Sequence, residues 1–203
     1  ESYALNLQDQ ISFNDRWSGL LGVRLERFEQ TALNRSTRVS NEQTKEVATP
    51  RAGVLYQLTP EVGVFANASM SFKPNAIGAQ GQVFKPEKGL GYETGLKLDL
   101  FDSRLGATVA LFHIDKENVL TADPNNPSDS IAAGKARSQG LDLQVSGQLT
   151  DAVRVIGAYA YIDAEVTKDN SIPEGSDLLG ITRNSASLMG VYQFQGGSLQ
   201  GSE

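Results

Sequence analysis

The chain has 203 residues, no cysteine, one histidine and a formal net charge of −6. These numbers exclude a disulfide framework and a thiolate metal site, and they leave little for imidazole clusters or Ser-His-Asp catalysis. The acidic balance argues against a nucleic-acid surface, which needs a basic face. No apolar run approaches the roughly 18 to 20 residues that a transmembrane helix needs.

The first ten residues, ESYALNLQDQ, contain neither a basic start nor an apolar stretch, so they do not form a signal peptide. They already alternate between apolar and polar side chains, as a strand does. We therefore expect the chain to be one part of a longer polypeptide.

Apolar and polar residues alternate with a period of two along most of the chain, which predicts strands with one apolar face. Together with segments 50–58 and 62–73, these stretches make about nine candidate strands of roughly 9 to 14 residues. The apolar positions are, in chain order, Tyr3, Leu5, Leu7, Ile11 and Phe13; Trp17, Leu21, Val23 and Leu25; Tyr92, Leu96, Leu98 and Leu100; Leu105, Ala107, Val109 and Leu111; Leu141, Leu143, Val145 and Leu149; Val155, Tyr159 and Tyr161; and Ala186, Leu188, Tyr192 and Phe194.

The connections between these strands alternate between short and long. Short polar turns fall at 14–16, 59–61, 102–104, 150–152 and 195–197, and long polar loops near 34–48, 74–88, 118–135 and 167–182. Outer-membrane barrels have short periplasmic turns and long extracellular loops, and their tilted strands need about 9 to 11 residues. Aromatic residues also lie near the strand ends, as in the girdles of such barrels: Trp17, Tyr56, Phe72, Tyr92, Phe101, Tyr192 and Phe194.

The fold predicted from this pattern is an all-β, antiparallel up-and-down transmembrane β-barrel. The alternation alone also fits a soluble sandwich, whose apolar face packs into a core. Strand length favours the membrane barrel, because soluble strands have a mode near 5 to 6 residues.

Five stretches in order resemble the later part of the barrel of TonB-dependent ferric-siderophore receptors. They are SMSFKPN (69–75), FKPEKGLGYETGLK (84–97), ALFHIDKENVLTADP (110–124), ARSQGLDLQVSGQLTD (136–151) and YAYIDAEVTKD (159–169), followed by Glu174–Gly175. The resemblance covers nearly the whole chain. One departure is Thr182, which stands where the family often has proline before the arginine.

This resemblance implies that residues 1–203 are a single segment of a larger barrel of about 22 strands. The plug domain, the TonB box and the remaining strands of such a receptor are absent from this chain. An open sheet of nine strands would leave two unpaired edges in lipid, so we expect the missing strands to be supplied by a longer polypeptide.

Gly89, Gly91 and Gly95 lie just before an apolar run and suggest a phosphate-binding loop at first sight. The dinucleotide fingerprint needs its third glycine where Thr94 stands, and it should open a helix rather than an alternating strand. We interpret Gly89 and Gly91 as the end of an outer loop. Gly95 shares the polar face of its strand, where a bare backbone lets a plug or a neighbouring strand approach.

The candidate ligand-binding residues are Phe72, Lys73, Arg137 and Arg183, which we expect on the lumenal side near the outer rim. A ferric siderophore brings its own oxygen ligands, so the protein needs aromatic platforms and hydrogen-bond donors and no directly bound cofactor or metal. His113 is interpreted as a structural or interfacial residue. The acidic stretches DAEVTKD and DPNNPSDS lack the spacing of a calcium loop.

The resemblance implies a receptor in the bacterial outer membrane that takes up a ferric siderophore as its transported ligand and is not an enzyme. Its partners would be the inner-membrane TonB complex, acting through the absent plug, and outer-membrane lipid and lipopolysaccharide. A passive porin-like or autotransporter-type barrel and a soluble all-β binding module stay open as alternatives.

Overall fold

A computed structural model describes residues 1–34, 39–78, 81–123 and 125–194. These residues form one antiparallel sheet in which each strand pairs with its neighbours in the sequence. The strands are β1 (Ser2–Ser12), β2 (Trp17–Asn34), β3 (Val39–Thr59), β4 (Val62–Lys73), β5 (Glu87–Leu100), β6 (Leu105–Asp123), β7 (Asn126–Thr150), β8 (Val153–Lys168) and β9 (Asn184–Tyr192). The predicted all-β up-and-down arrangement is confirmed; in this chain the sheet is open, with β1 and β9 at its edges.

The two ends of the sheet differ in the way the sequence predicts. Short turns join β1 to β2, β3 to β4, β5 to β6 and β7 to β8 at one end. The segments 74–86 and 169–183 cross the other end, which we call the long-loop end. Among the described residues, no helix is long and apolar enough to cross a membrane.

Two of the four predicted long loops, those near 34–48 and 118–135, consist mostly of strand in the residues that the structure describes. Residues 39–48 continue β3, which is 21 residues long, and residues 126–135 begin β7, which is 25 residues long. Both therefore belong to tall hairpins, β2–β3 and β6–β7. Residues 40–46 of β3 are polar on both faces. The β6–β7 extension has register shifts near Val119 and Asp123 beside the apolar run 131–133, so in both extensions the period of two disappears although the backbone ladder continues.

The register gives the sheet two chemically different faces. One row of directly paired residues crosses from β2 to β9 and is apolar throughout: Trp17, Tyr56, Val64, Leu96, Val109, Leu143, Tyr159 and Ala186. We call this the outward face. The inward face carries the alternate residues, among them Asn67, Glu93, Lys97 and Gln144.

The outward face is apolar but not packed against a second layer. Leu111 is 58% exposed and Leu188 is 82% exposed, although both belong to the apolar set of their strands. A soluble sandwich would bury these side chains, whereas a membrane barrel directs them into lipid. The exposed apolar face agrees with the membrane barrel that the strand lengths favour.

Aromatic residues pair near the short-turn end. The ring centroids of Trp17 and Tyr56 are 4.6 Å apart, and those of Tyr192 and Phe194 are 5.1 Å apart with perpendicular planes. Tyr3 and Tyr92 lie on the outward face nearer the long-loop end. Amphipathic rings at both ends of an apolar band are typical of interfacial girdles.

Two glycines on the inward face allow neighbouring strands to come unusually close. A Cβ atom at Gly95 would collide with the carbonyl oxygen of Val109, and one at Gly140 would collide with that of Tyr161. The ring of Phe112 would also lie 2.9 Å from the Gly140 Cβ. The predicted close approach of a neighbouring strand at Gly95 is confirmed.

Replacing Gly95 or Gly140 by alanine should destabilise the folded barrel. The added methyl group meets backbone atoms that cannot move aside as a side chain can, so we expect a loss of about 1 to 3 kcal/mol in the free energy of unfolding. Urea unfolding of the full-length protein in lipid vesicles measures this loss.

Gly106→Ala is the matched control, because the only contact that its Cβ would make is an ordinary one at 3.8 Å with the Ser146 carbonyl. Equal stability of the three alanine variants would contradict the close approach of the strands.

Candidate ligand-binding rim

The ladder between β3 and β4 ends before either strand does. Its last pair is Arg51–Ser69, yet β3 remains paired with β2 up to Val39 and β4 remains paired with β5 up to Lys73. The next pair would be Pro50 with Met70. The two neighbouring strands therefore separate towards the long-loop end, and we call the opening between them the β3–β4 seam.

Pro50 explains where the seam begins. The amide of Gln57 donates to the Arg16 carbonyl, so the odd-numbered residues of β3 direct their backbone groups towards β2. Even-numbered residues, Pro50 among them, then face β4. Proline has no N–H to donate, so the ladder loses a hydrogen bond at this position.

Phe72 lies at the edge of the seam. It pairs with Lys88 and shares the outward parity of β4, whereas Phe28 lies on the inward parity of β2. Their rings nevertheless stack with centroids 5.7 Å apart, and Phe28 is only 3% exposed. The stack forms because the last residues of β4 are no longer held by β3.

Lys73, the next residue, is exposed and pairs in register with Glu87 on the inward parity. The structure thus places Phe72 and Lys73 together at the end of β4. Phe72 contacts the inward-facing Phe28 through the seam, although the parity of its own strand is outward. A ligand-binding role for Phe72 and Lys73 stays a prediction.

The expected lumenal placement of Arg137 is wrong. Its direct partners are Asp115 and Glu165, and all three lie on the outward face that carries Leu111 and Leu141. Its Nη2 donates to Glu165 Oε1 at 2.7 Å. Every second residue of a strand lies on the same face. Leu141 faces outward, so Arg137 on the same parity of β7 faces outward too.

His113 shares the same outward band as Arg137. Its Nε2 lies 3.0 Å from Asp115 Oδ2, and His113 pairs in register with Tyr92 and Gln139. This position is interfacial, as the sequence predicts.

Arg183 immediately precedes β9 and lies on the inward parity. Its carbonyl accepts a hydrogen bond from the Ile162 amide, and its Nη2 donates to Asp177 Oδ1 at 2.6 Å. The structure does not gather the four candidate residues: Phe72 and Lys73 lie at the end of β4, Arg183 lies beside β8, and Arg137 faces outward.

Two asparagines that the sequence reasoning did not single out hold the segment 74–86 in place. Asn75 is 7% exposed, and its Nδ2 donates to the carbonyls of Lys85 at 2.8 Å and Asn118 at 2.9 Å. Asn118 Nδ2 in turn donates to the Pro86 carbonyl at 3.0 Å. Asn118 has a φ of 59°, a conformation that asparagine tolerates better than most residues.

A signal for this Asn75–Asn118 clamp was present in the sequence. The stretches SFKPN, FKPE and KEN carry part of the family resemblance, and the clamp is where they meet. Asn75 and Asn118 are 43 residues apart, however, so the sequence pattern could not reveal their contact.

The segment after β8 is tied to the tall β6–β7 hairpin. The amide of Asn170 donates to Thr121 Oγ1 at 3.0 Å, and its Nδ2 donates to the Ala122 carbonyl at 2.8 Å. Desolvation raises the pKa of Asp169, but hydrogen bonds from the Ser171 and Ile172 amides outweigh it and lower that pKa to about 2. The ionised carboxylate therefore stabilises this turn.

Replacing Asn75 by aspartate should release segment 74–86. The carboxylate cannot donate to two carbonyls and is repelled by both, so we expect faster amide exchange across 74–86 while strands β4 and β5 stay protected. Hydrogen-exchange mass spectrometry of the full-length protein measures the change.

Asn125→Asp on the β6–β7 hairpin is the control, because the Asn125 side chain makes no hydrogen bond to any residue that the structure describes. Unchanged exchange in the Asn75→Asp protein would rule out the clamp.

Acid should loosen the turn after β8. The pKa of Asp169 is lowered from 3.8 to about 2, so its contribution is complete above about pH 5 and disappears as the pH falls through 2. We expect the protection of amides 170–172, corrected for intrinsic exchange rates, to fall over that range. Asp169→Asn should lack this pH dependence, and an identical profile in both proteins would contradict the prediction.

Comparison with known proteins assigns the chain to a family. A profile described as "TonB dependent receptor-like, beta-barrel" matches residues 1–202. The metal-pseudopaline receptor CntO of Pseudomonas aeruginosa (strain UCBPP-PA14) is 60% identical over 210 residues, which cover 100% of this chain and 30% of the relative. The ferrichrome outer membrane transporter/phage receptor of Escherichia coli K12 is 33% identical, covering 96% of this chain and 26% of the relative.

Solved structures agree in fold. The siderophore receptor PiuA from Acinetobacter baumannii superposes with a TM-score of 0.81 at 24% identity, covering 94% of this chain and 31% of that one. The chain spans about 30% of the length of the relatives it matches. It belongs to the TonB-dependent receptor family, whose β-barrels lie in the bacterial outer membrane.

Proposed function

We propose that this chain is part of the wall of an outer-membrane receptor that takes up a metal bound to a small chelator, either a ferric siderophore or a related metallophore. The observation that carries the proposal is the 60% identity to the metal-pseudopaline receptor along the whole chain. The more distant relatives, at 33% identity and below, include receptors named for ferrichrome and ferrioxamine B. The favoured substrate is therefore a metal–pseudopaline-like complex.

The rim supports this function. Phe72, stacked on the buried Phe28, offers an apolar ring, and Lys73 and Arg183 offer charged donors on the inward parity of the same long-loop end. A chelated metal needs no protein ligands of its own, since the chelator fills its coordination sphere. We propose Phe72, Lys73 and Arg183 as ligand contacts; the outward position of Arg137 argues against the same role.

The proposed partners follow from the two faces. Energy from the inner-membrane TonB complex would act through a plug domain outside this chain, against the polar inward face. Lipid would cover the apolar outward face. Lipopolysaccharide would meet the outward polar band beyond it, where Arg137 pairs with Glu165 and Lys135 with Glu117.

Deletion of the full-length gene tests the function. We expect the deletion strain to lose uptake of radiolabelled metal supplied as metal–pseudopaline under metal limitation, and a plasmid copy to restore it. Undiminished uptake of metal–pseudopaline and of every ferric siderophore supplied would contradict the proposal.

The same uptake measurement in a strain that lacks TonB distinguishes the receptor from a passive pore. A passive porin-like barrel would admit the complex without TonB, whereas the proposed receptor should admit none. Uptake at the same rate in both strains would favour the passive pore.

A further inference from the structure

Four lysines surround Phe72 at the β3–β4 seam. Lys73 follows Phe72 in the chain, Lys88 pairs with it across β4 and β5, and Lys45 pairs with its stacking partner Phe28. Lys85 lines the same cavity as Phe72, Lys45 and Lys88. These residues come from two strands, one strand end and one loop, so their convergence is a property of the fold.

The four lysines form no ion pair with a residue that the structure describes, although glutamates lie near them. Among the described residues, no carboxylate oxygen lies within 4.0 Å of any of their ammonium groups. The carboxylates beside them are already paired: Glu87 with Lys116 at 3.3 Å, and Glu117 with Lys135 at 2.7 Å. In a chain of net charge −6, this is a local excess of positive charge.

Lys45, Lys85 and Lys88 line a cavity of about 550 Å³ that opens within the seam, and Lys73 follows Phe72 of the cavity wall in the chain. Its apolar lining includes Val47, Met70 and Phe72, and its floor includes Pro86 and Asn118 of the clamp. The cavity exists because Pro50 ends the ladder between β3 and β4, and the clamp fixes the backbone that carries Lys85. This volume is within the range of small-molecule sites.

A second observation points to a polar ligand or water in the same region. Gln43 lies two residues from Lys45 on the same face, outside the cavity lining, and is 4% exposed; neither of its amide atoms has a hydrogen-bond partner among the residues that the structure describes. Its cross-strand neighbour Gln30 also leaves its Oε1 without a partner. Buried polar atoms without partners are rare, and they call for a group that is not part of the protein.

We propose that the metal chelate recognised by this receptor is a multiply charged anion rich in carboxylates. Its carboxylates contact Lys45, Lys73, Lys85 and Lys88, and its apolar part packs against Phe72. This inference rests on the proposed function and adds the charge class of the substrate. Ammonium groups on flexible stems suit several carboxylate geometries, whereas a cationic chelate would be repelled.

A chelate fits the cluster better than the phosphate of a lipid does. Lys45 and Lys73 lie on the inward parity, where lipid does not reach. On the outward side, Lys88 has the acidic residues Glu46 and Glu117 beside it in the cavity wall. The positive charge is therefore most accessible from the lumen.

Uptake kinetics of the full-length receptor in cells test the charge class. The probes are radiolabelled metal–pseudopaline, iron(III) citrate as an anionic complex, and iron(III) ferrichrome as a neutral one. For an anionic complex that the wild type takes up, Lys45→Gln/Lys73→Gln should raise KM about tenfold with little change in the maximal rate. The salt dependence of KM should be weaker in the variant than in the wild type.

Lys168→Gln is the control for charge alone: it removes one positive charge at the same end of the sheet, away from the seam, whereas the double variant removes two. A wild type that takes up none of the probes would refute the proposed function itself. A wild type that takes up a probe with KM unaffected by Lys45→Gln/Lys73→Gln would refute the charge class alone, as would preference for ferrichrome.

Mass spectrometry of lipids that copurify with the full-length protein provides the last arm. We expect the same lipid content in the wild type and in the double variant. A phosphate-bearing lipid held by the wild type and lost from the double variant, with KM unchanged, would show that the lysines bind lipid and would overturn the proposal.

Discussion

Backbone hydrogen bonding in a medium without water is the constraint on which the rest of this structure depends. Each unpaired N–H or C=O group in the hydrocarbon core costs several kcal/mol, so a spanning sheet must pair every strand with both neighbours. Within the chain, β2 to β8 each pair with a neighbour on both sides, and β1 and β9 each lack one neighbour. Once the ladder is fixed, the period of two distributes the side chains, with leucine, valine and tyrosine outward and residues such as Glu93 and Lys97 inward.

The same constraint explains why the candidate site lies at the seam. The ladder between β3 and β4 stops where Pro50 has no N–H to give, and the strands separate only towards the long-loop end. The freed end of β4 lets Phe72 stack on Phe28, and Lys45, Lys85 and Lys88 line the widened space. Because Pro50 cannot donate a backbone hydrogen bond, the two strands separate beside it and leave a cavity. The Asn75–Asn118 clamp holds the adjoining loop in place.

The sequence predicted what depends on local periodicity. Nine strands, their order, the apolar outward face and the close approach at Gly95 all follow from alternation and from a glycine on the polar face. The upper part of β3 was missed because polar side chains on both faces conceal a strand, and the upper part of β7 because its apolar and polar residues do not alternate. Arg137 was assigned to the lumen without following the parity of its own strand, which leads outward from Leu141.

The candidate site was harder to predict, because its contacts join distant parts of the chain. Phe28 and Phe72 occupy opposite parities in different strands, and only the end of the ladder lets them meet. The lysine cluster likewise depends on the register of β2 with β3 and of β4 with β5. No spacing within a single segment indicates either feature, although every residue involved is visible in the sequence.

The most direct test of the two-faced wall is nitroxide accessibility along β5. The chain has no cysteine, so single cysteines at positions 93, 96, 97 and 98 of a full-length protein freed of other cysteines would carry one label each. We expect labels at positions 96 and 98, on the outward face, to collide readily with oxygen dissolved in the bilayer. Labels at positions 93 and 97, on the inward face, should not. Equal oxygen accessibility at all four positions would contradict a wall with lipid on one face and a lumen on the other.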